Sequence, residues 1–458
     1  MFEDTASALF GVEGLRVTDV QAGPDGVLEV WAVTDYPAAA ACPECGTASG
    51  RVHETVLARP RDVRRAADPV DLRWVKVRRK CGNQECPRKT FTEQVPALPP
   101  RCRIMARLRE QAGTEVTERG ITPAEAARHA GVSWAVVHEA FAAAADPLLD
   151  RPAALVAHLG IDEHRRGRAR FAADPQTGEY TLLADRWHTC FFDLSGQQGL
   201  LGQVQGRTAD DAAYWLAGAT PAWRDAVQVV CIDLCSIYAS AVRRMLPRAV
   251  LTADLFHVVQ LAVKAVGDVR RRAVRARYGR RGRSGDPEYG IKGLLVRNLE
   301  HLSPAQFAKV IDTLDRDRYG QEIAATWIAK EKLRDVLNLR ALITGSTPCD
   351  RQVRDRLFSF YDWCAQHDDI PELVSLARTI SRWEDEIIAA VITGITNATA
   401  ESLNRLAKLE ARLAYGFRNP LNQRRRVRIS CTRGHRRRSR TATSIRTRIV
   451  TGRKPDPG

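Results

Sequence analysis

Four cysteines and a small set of carboxylates carry the chemistry this sequence can do. Cys42-Pro-Glu-Cys45 and Cys81-Gly-Asn-Gln-Glu-Cys86 are two short-spaced pairs, separated by residues 46–80. Each short loop can present two thiolates to one ion, and two such pairs fit a tetrahedral four-cysteine site for one structural Zn²⁺. Four thiolates leave no open coordination position, so the expected role is to fix a region too small for its own core. Arg64, Arg65, Lys76, Arg78, Arg79 and Lys80 line the segment between the pairs, as expected of a DNA-facing finger. The other cysteines are scattered, and the total of eleven is odd, which does not fit a secreted disulfide framework.

The carboxylates share a different pattern. Asp162 closes the apolar run Leu159-Gly160-Ile161, Asp233 closes Val229-Val230-Cys231-Ile232, and Asp254 closes Leu251-Thr252-Ala253. A single aspartate at a strand end is ordinarily a cap or a turn residue. Three in one region can converge at one sheet edge. Close carboxylates repel unless cations sit between them, and oxygen-rich sites suit Mg²⁺ or Mn²⁺. Strand alternation sends Asp162 and Glu163 to opposite faces. Glu401 lies on an amphipathic helix. Its polar face is read as Glu401, Asn404, Arg405, Lys408, Arg412 and Tyr415, and its core-facing stripe as Leu403, Leu406, Ala407, Leu413 and Ala414.

The elements that must position these residues can be read along the chain. At 458 residues it is long enough for two to four domains. Residues 1–36 suggest a β-hairpin turning at Pro24-Asp25-Gly26, and 70–79 a strand with one basic face. In ITPAEAARHAGVSWAVVHEAF, Pro123 suits a first helical turn, Gly131 a tight stop and Ser133 a cap. This predicts a helix-turn-helix over about 123–129 and 133–143, with Ser133, Trp134 and His138 facing a major groove. The stretch 145–152 reads as a boundary. From 155, short apolar runs alternate with helical segments at 208–219 and 236–246, the pattern of an α/β sheet domain. After about 258 the strands stop. Residues 269–290 suggest an exposed Arg/Gly-rich arm, Ser303 opens a capping box, and helices run to about 395, followed by a last helix at 398–414.

The net charge of +16 is concentrated at the C-terminus. Residues 418–458 hold 14 Lys+Arg against Asp456, giving +13, so the rest carries 16 − 13 = +3. An Arg-rich tail of this kind attracts nucleic acid by displacing counterions. No apolar run reaches the roughly 20 residues that span a bilayer, and the acidic start MFEDTASALFG lacks a signal pattern. A soluble intracellular protein with no membrane partner is the expectation.

The ordered series of these residues resembles the bacterial insertion-sequence DDE transposases of the ISL-three type. It runs through the paired cysteines, the helix-turn-helix, Gly160-Ile161-Asp162-Glu163, the Asp233 strand with Tyr238, Asp254-Leu255-Phe256-His257, Glu401-Ser402-Leu403-Asn404 to Lys408, and Tyr415-Gly416-Phe417-Arg418-Asn419. The resemblance implies a multidomain α+β and α/β architecture. Residues 1–100 form a zinc-finger DNA-binding region and 101–150 the helix-turn-helix. Residues 155–260 begin an RNase H-like mixed-sheet core, 261–395 are an all-helical insertion with a basic arm, 396–420 are the last catalytic helix, and 421–458 are a basic tail. Asp162, Asp233 and Glu401 are implied as catalytic ligands of two Mg²⁺ (or Mn²⁺) ions. Asp254, His257 and Asn404 are expected around them, and Arg78, Arg79, Lys408 and Arg412 on DNA. The implied activity is binding of terminal inverted repeats, followed by metal-dependent cleavage and strand transfer into target double-stranded DNA by a homodimer or larger assembly. The implied location is cytoplasmic and nucleoid-associated. The alternative is a catalytically inactive, transposase-derived DNA-binding regulator.

Overall fold

The computed structural model describes residues 5–23, 26–64, 70–184, 186–196 and 198–451. They fall into two compact units, Met1–Asp150 and Arg151–Gly458.

The first unit is built on strands β1 (Leu15–Ala22), β2 (Leu28–Thr34), β3 (Val52–Ala58), β4 (Val70–Lys80) and β5 (Thr90–Thr92). The sheet order is β1-β2-β4-β3, with β5 also pairing β4. β1 and β2 pair antiparallel, as the hairpin reading expects, while Pro24, Asp25 and also Arg65 lie outside the described residues. β4 buries alternate residues Leu72 and Trp74. Its basic residues are not the free face that the sequence suggests. Arg73 pairs with Glu29, Arg78 with Glu54 at 2.9 Å and Arg79 with Glu93 at 2.5 Å. Neighbouring segments supply a carboxylate to each, which alternation within one strand cannot reveal.

Leu98 and Met105 join the core of this sheet, so residues 1–100 and 101–150 share one unit. Three main helices complete it: Ala106–Thr114, Pro123–Ala130 and Trp134–Asp150. Thr122 caps the second through the Glu125 N–H, and Gly131 ends it at φ +64°, a left-handed conformation that glycine adopts without strain. The third runs through Pro147 to Asp150, so most of the segment read as a boundary is helical. Phe141 and Ala145, four residues apart, keep its buried face continuous.

In the second unit the strands are β6 (His158–Arg165), β7 (Arg170–Ala173), β8 (Tyr180–Ala184), β9 (Trp187–Asp193), β10 (Leu200–Gln205), β11 (Val229–Ile232) and β12 (Val250–Ala253). The main sheet has the order β10-β9-β6-β11-β12, and β7 and β8 form a separate hairpin. β6 pairs antiparallel with β9 and parallel with β11, and β11 pairs parallel with β12. Leu159 and Ile161 face one core, shared with the helices Ala209–Ala217 and Ser236–Met245. Cys190, Phe192 and Leu200 face another, with Ala400, Ala407, Val427 and Cys431. Helices therefore cover both faces.

Among the described residues no strand follows β12, in line with the expected helical stretch. The arm at 269–290 is a correction. The helix Leu255–Tyr278 runs through half of it and buries Val269, Ala273 and Val274. Several of its arginines are held by acids: Arg272 by Glu322 at 2.6 Å and Glu372 at 2.8 Å, Arg277 by Glu288 and Asp317, and Arg280 by Asp286 at 2.7 Å. A run of arginines looks solvated when its acidic partners are distant in sequence.

The basic tail at 421–458 is a second correction. Pro420–Thr451 is helical, and its first part packs on the sheet through Val427, Ile429 and Cys431, all buried. Arg426 is not a free cation: it pairs with Glu410 at 2.6 Å, the two side chains only 7% and 8% exposed. Ser430 also donates to Glu410. Arg426→Ala should therefore destabilise the second unit by about 3–5 kcal/mol, because the Glu410 charge is left buried alone. Urea unfolding of the full chain measures this, and a loss below about 1 kcal/mol would put the pair on the surface instead.

Candidate functional site

The register of three parallel strands sets the site. Ile161 lies opposite Ile232, and Ile232 opposite Ala253. Asp162, Asp233 and Asp254 are each the next residue, so they come level at the carboxyl ends of β11 and β12 and on β6 beside them. Alternation then settles the faces. Gly160, Asp162 and His164 point away from the Leu159–Ile161 core, toward the helix Ala398–Leu413. Gly160 is required there, since a Cβ would lie 2.8 Å from Asn397 Oδ1 and 2.7 Å from Leu194 Cδ2. Glu163 is on the opposite face, near Tyr238.

Asn404 ties this helix to Asp162: its amide Nδ2 donates to Asp162 Oδ2. Asn404 is 2% exposed, so this member of the helix's polar face is buried against the sheet beside Asp162. The buried face is Ala400, Asn404, Ala407 and Glu410, while Leu406, Leu409 and Leu413 are exposed. Small residues let the helix sit close to the sheet, so hydrophobicity placed Leu403 and Ala407 correctly against the core but Leu406 and Leu413 wrongly. Glu401 lies one turn before Asn404 and pairs with Arg405 at 2.7 Å. Glu401 and Asp254 line one open cleft, together with Phe256, Arg334 and Arg340.

His257 bridges the other two aspartates. Its Nδ1 lies 3.1 Å from Asp233 Oδ1 and 3.3 Å from Asp254 Oδ2. Hydrogen bonding to Asp233, then to Asp254, raises its pKa to about 10, so the ring is cationic at neutral pH. Asp254 also accepts the Phe256 N–H at 3.2 Å and caps its helix. Asp233, Asp254 and His257 present ligand atoms within 4.8 Å of one another. Asp162 is not part of that cluster, yet it feels it: burial first, and then the charge of Asp233, pushes its pKa up to about 7. Carboxylate oxygens gathered at one sheet edge are donors that suit a divalent cation, so the residues fit such an ion.

Sequence reasoning missed a buried polar chain behind Asp162. Gln423 Nε2 lies 3.0 Å from His164 Nε2, and His164 Nδ1 lies 3.3 Å from Asn404 Oδ1. Gln203 donates to Gln423 Oε1 at 3.1 Å and approaches His188 Nδ1 at 2.6 Å. Burial lowers His164 to about 4 and His188 to about 3, so both rings are neutral. A neutral His164 accepts from Gln423 and donates to Asn404, which donates to Asp162. The available signal was the period of two that puts His164 on the face of Asp162.

In the first unit the four cysteines come together. Cys42 and Cys86 Sγ are 4.0 Å apart, Cys45 and Cys81 Sγ 3.6 Å, and all four lie within 4.8 Å of one another. Sulfurs about 2.3 Å from one tetrahedral ion would be about 3.8 Å apart, whereas a disulfide needs about 2.05 Å. Hydrogen bonding to Thr47 pulls Cys45 down to about 6, while burial pushes Cys81 up to about 12. Of the residues read as DNA contacts, Ser133 and Trp134 are exposed, and Trp134 stacks on a half-buried His138 with ring centres 4.5 Å apart. Arg79 is held by Glu93, and Arg78 by an exposed Glu54. Lys408 and Arg412 are exposed one turn apart.

A family model described as Transposase, of the ISL-three DDE type, matches residues 159–427, more than half of the chain. The chain belongs to that transposase family. The transposase for insertion sequence element IS1557 of Mycobacterium tuberculosis is 32% identical over 211 residues, which are 42% of this chain and 45% of the relative. The transposase for insertion sequence element IS1001 of Bordetella parapertussis is 23% identical over 383 residues, 82% of this chain and 85% of the relative. The chain thus aligns with less than half the length of the Mycobacterium relatives. Among the described residues, no helix is long and apolar enough to cross a membrane.

The Asp162 environment has a measurable sign. Its folded pKa, about 7, lies above the unfolded value, so its contribution to stability is present at low pH and is lost as pH rises through about 7. Asp162→Asn removes that loss. In magnesium-free buffer, its Tm relative to the parent should rise by about 3 °C or more between pH 5 and pH 8.5, since 1 kcal/mol moves Tm by about 2–4 °C in a unit of this size. A pH-independent difference in calorimetry would mean Asp162 is ionised throughout.

Proposed function

We propose that this chain is a DDE transposase that binds the terminal inverted repeats of an insertion sequence, cleaves at their ends and joins them to target DNA. The observation that carries the reading is the level alignment of Asp162 and Asp233 on adjacent parallel strands, with the Glu401 helix tied to Asp162 through Asn404. The sheet order, with β6 central, two antiparallel strands on one side and two parallel strands on the other, supports an RNase H-like core. The helices from 255 to 393 are then an insertion before the last catalytic helix.

Asp162, Asp233 and Glu401 would hold Mg²⁺ or Mn²⁺, which activates water or a DNA 3′-hydroxyl and stabilises the leaving oxygen. Asp233 is preferred over Asp254 as the second ligand. Asp254 already caps a helix, whereas Asp233 caps none and has only His257 Nδ1, at 3.1 Å, beside its Oδ1. Asn404 orients Asp162 and leaves its remaining lone pairs for the ion. His257 would hold the Asp233 and Asp254 carboxylates close to one another through Nδ1. The cysteine cluster would hold one structural Zn²⁺, and the helices Pro123–Ala130 and Trp134–Asp150 would read DNA with Ser133 and Trp134.

Asp162→Asn, Asp233→Asn and Glu401→Gln should each reduce Mg²⁺-dependent cleavage of a repeat-end duplex by about 1,000-fold or more, about 4 kcal/mol of transition-state stabilisation, with DNA binding retained. Glu163→Gln, on the other strand face, should be much milder. Normal cleavage by Asp233→Asn beside a dead Asp254→Asn would exchange their roles, and normal cleavage by all five would overturn the DDE reading.

Metal analysis of the purified chain should find about one zinc, and Cys81→Ser should lose it together with the thermal stability of the first unit. Undiminished zinc in that variant would move the metal elsewhere.

A further inference from the structure

Beyond Asp162 on β6, a group of arginines stands without counter-charge. Arg165 and Arg207 each lay a guanidinium on the ring of Trp187, 4.8 and 4.6 Å from its centre. Trp187 faces Arg165 across the β6–β9 register, and Arg207 lies just past the end of β10. Arg166 and Arg186 are adjacent, since the Arg166 N–H donates to the Arg186 carbonyl at 2.7 Å. Gly167 makes room for the second: a Cβ there would come 2.9 Å from Arg186 Nη1.

Two independent observations separate this group from an ordinary solvated surface. The first is the missing acid. In the helical segment, Arg272, Arg277 and Arg280 are all matched by carboxylates. Among the described residues, no carboxylate forms an ion pair with Arg165, Arg166, Arg186 or Arg207. The second is the unsatisfied donors. The Nε atoms of Arg166 and Arg186 are both buried with no hydrogen-bond partner. Arg166 makes one bond, to the Phe417 carbonyl at 3.2 Å, and burial and the charge of Arg186 both lower its pKa. Buried donors left unmade cost about 1–3 kcal/mol each, and like charges side by side add to that. An anion with several acceptor oxygens relieves both. Guanidinium forks match phosphate, and the indole pre-orders two of the heads.

We propose that Arg165, Arg166, Arg186 and Arg207 form a phosphate-binding surface at the end of β6, beyond Asp162, that holds the backbone of duplex DNA. Arg165 is three residues beyond Asp162 on the same strand, about 10 Å away at about 3.3 Å per residue. Alternation puts Arg165 on the Glu163 face of β6, so a duplex gripped here crosses the end of the strand beyond Asp162 rather than lying along the Asp162 face. The surface reads no sequence, because it offers charge to phosphates rather than a donor–acceptor pattern to bases. Its position beside the carboxylates rests on the catalytic reading above, and its affinity for DNA does not.

The test uses the full-length chain and a short duplex of arbitrary sequence. In the parent, the duplex should protect Arg165 and Arg207 from phenylglyoxal, read by peptide mass spectrometry, while inorganic phosphate at equal phosphate concentration should not. The double variant Arg165→Gln/Arg207→Gln should lower the slope of log affinity against log salt by about 2, at about 0.9 per phosphate contact, and weaken binding about tenfold or more near 0.1 M salt. Equal protection by inorganic phosphate would make this a small-anion site and overturn the proposal. So would an unprotected parent, or an unchanged slope in a double variant that melts like the parent. If the double variant melts early, the parent footprint alone decides. A parent that cleaves DNA with these arginines unprotected overturns the surface but not the catalytic reading. A parent that protects them yet never cleaves does the reverse.

Discussion

The hydrogen bond from Asn404 to Asp162 is the constraint on which the second unit depends. It joins residues 242 positions apart and fixes how the Ala398–Leu413 helix meets β6. A carboxylate brought level with an apolar sheet loses water, and its charged form needs donors to replace it. Asn404 supplies one. It is itself held by His164, which is held by Gln423 on the following helix. Glu401 inherits its position from this chain, one helical turn away. The site is therefore set by a buried polar network rather than by the carboxylates themselves.

Charge balance separates structure from function across the molecule. Arg426–Glu410, Arg79–Glu93 and Arg272 with Glu322 and Glu372 are matched groups that pin segments together. Two places among the described residues differ. At the strand ends, burial and then the nearby charge of Asp233 make Asp162 resist ionising. At the far end of β6, arginines crowd without acids. The first place asks for cations and the second for anions. A metal-bound phosphodiester has both signs to offer.

What was legible in the sequence followed from local periodicity. Apolar runs ending in aspartate gave the positions of β6, β11 and β12, and alternation gave the opposite faces of Asp162 and Glu163. Short cysteine spacings gave the cluster, and Pro123 and Gly131 marked the bounds of one helix. What was not legible depended on partners far along the chain. The helix at 269–278 looked like an arm because Glu322 and Glu372 lie at least 50 residues away. The start of the last helix looked like a tail because arginines such as Arg426 and Arg428 dominate its composition, although Val427 and Ile429 beside them are buried. On the Glu401 helix, leucines marked the core by hydrophobicity, but close approach to the sheet admits alanine and asparagine there instead.

Asp233 and Asp254 show why register alone cannot divide the roles of level carboxylates. Both follow the last paired residue of a strand, and both lie within reach of His257 Nδ1. The difference lies in what comes next in the chain. Asp254 begins a 24-residue helix and spends an oxygen on its first turn, near the positive end of the helix dipole. Two residues, Leu234 and Cys235, separate Asp233 from the next helix, whose first turn it does not cap. A cap is held by its helix and gives up part of its charge to backbone N–H groups. A carboxylate between strand and helix has no first turn to serve. The loop that follows each strand is thus what distinguishes two aspartates that register leaves level.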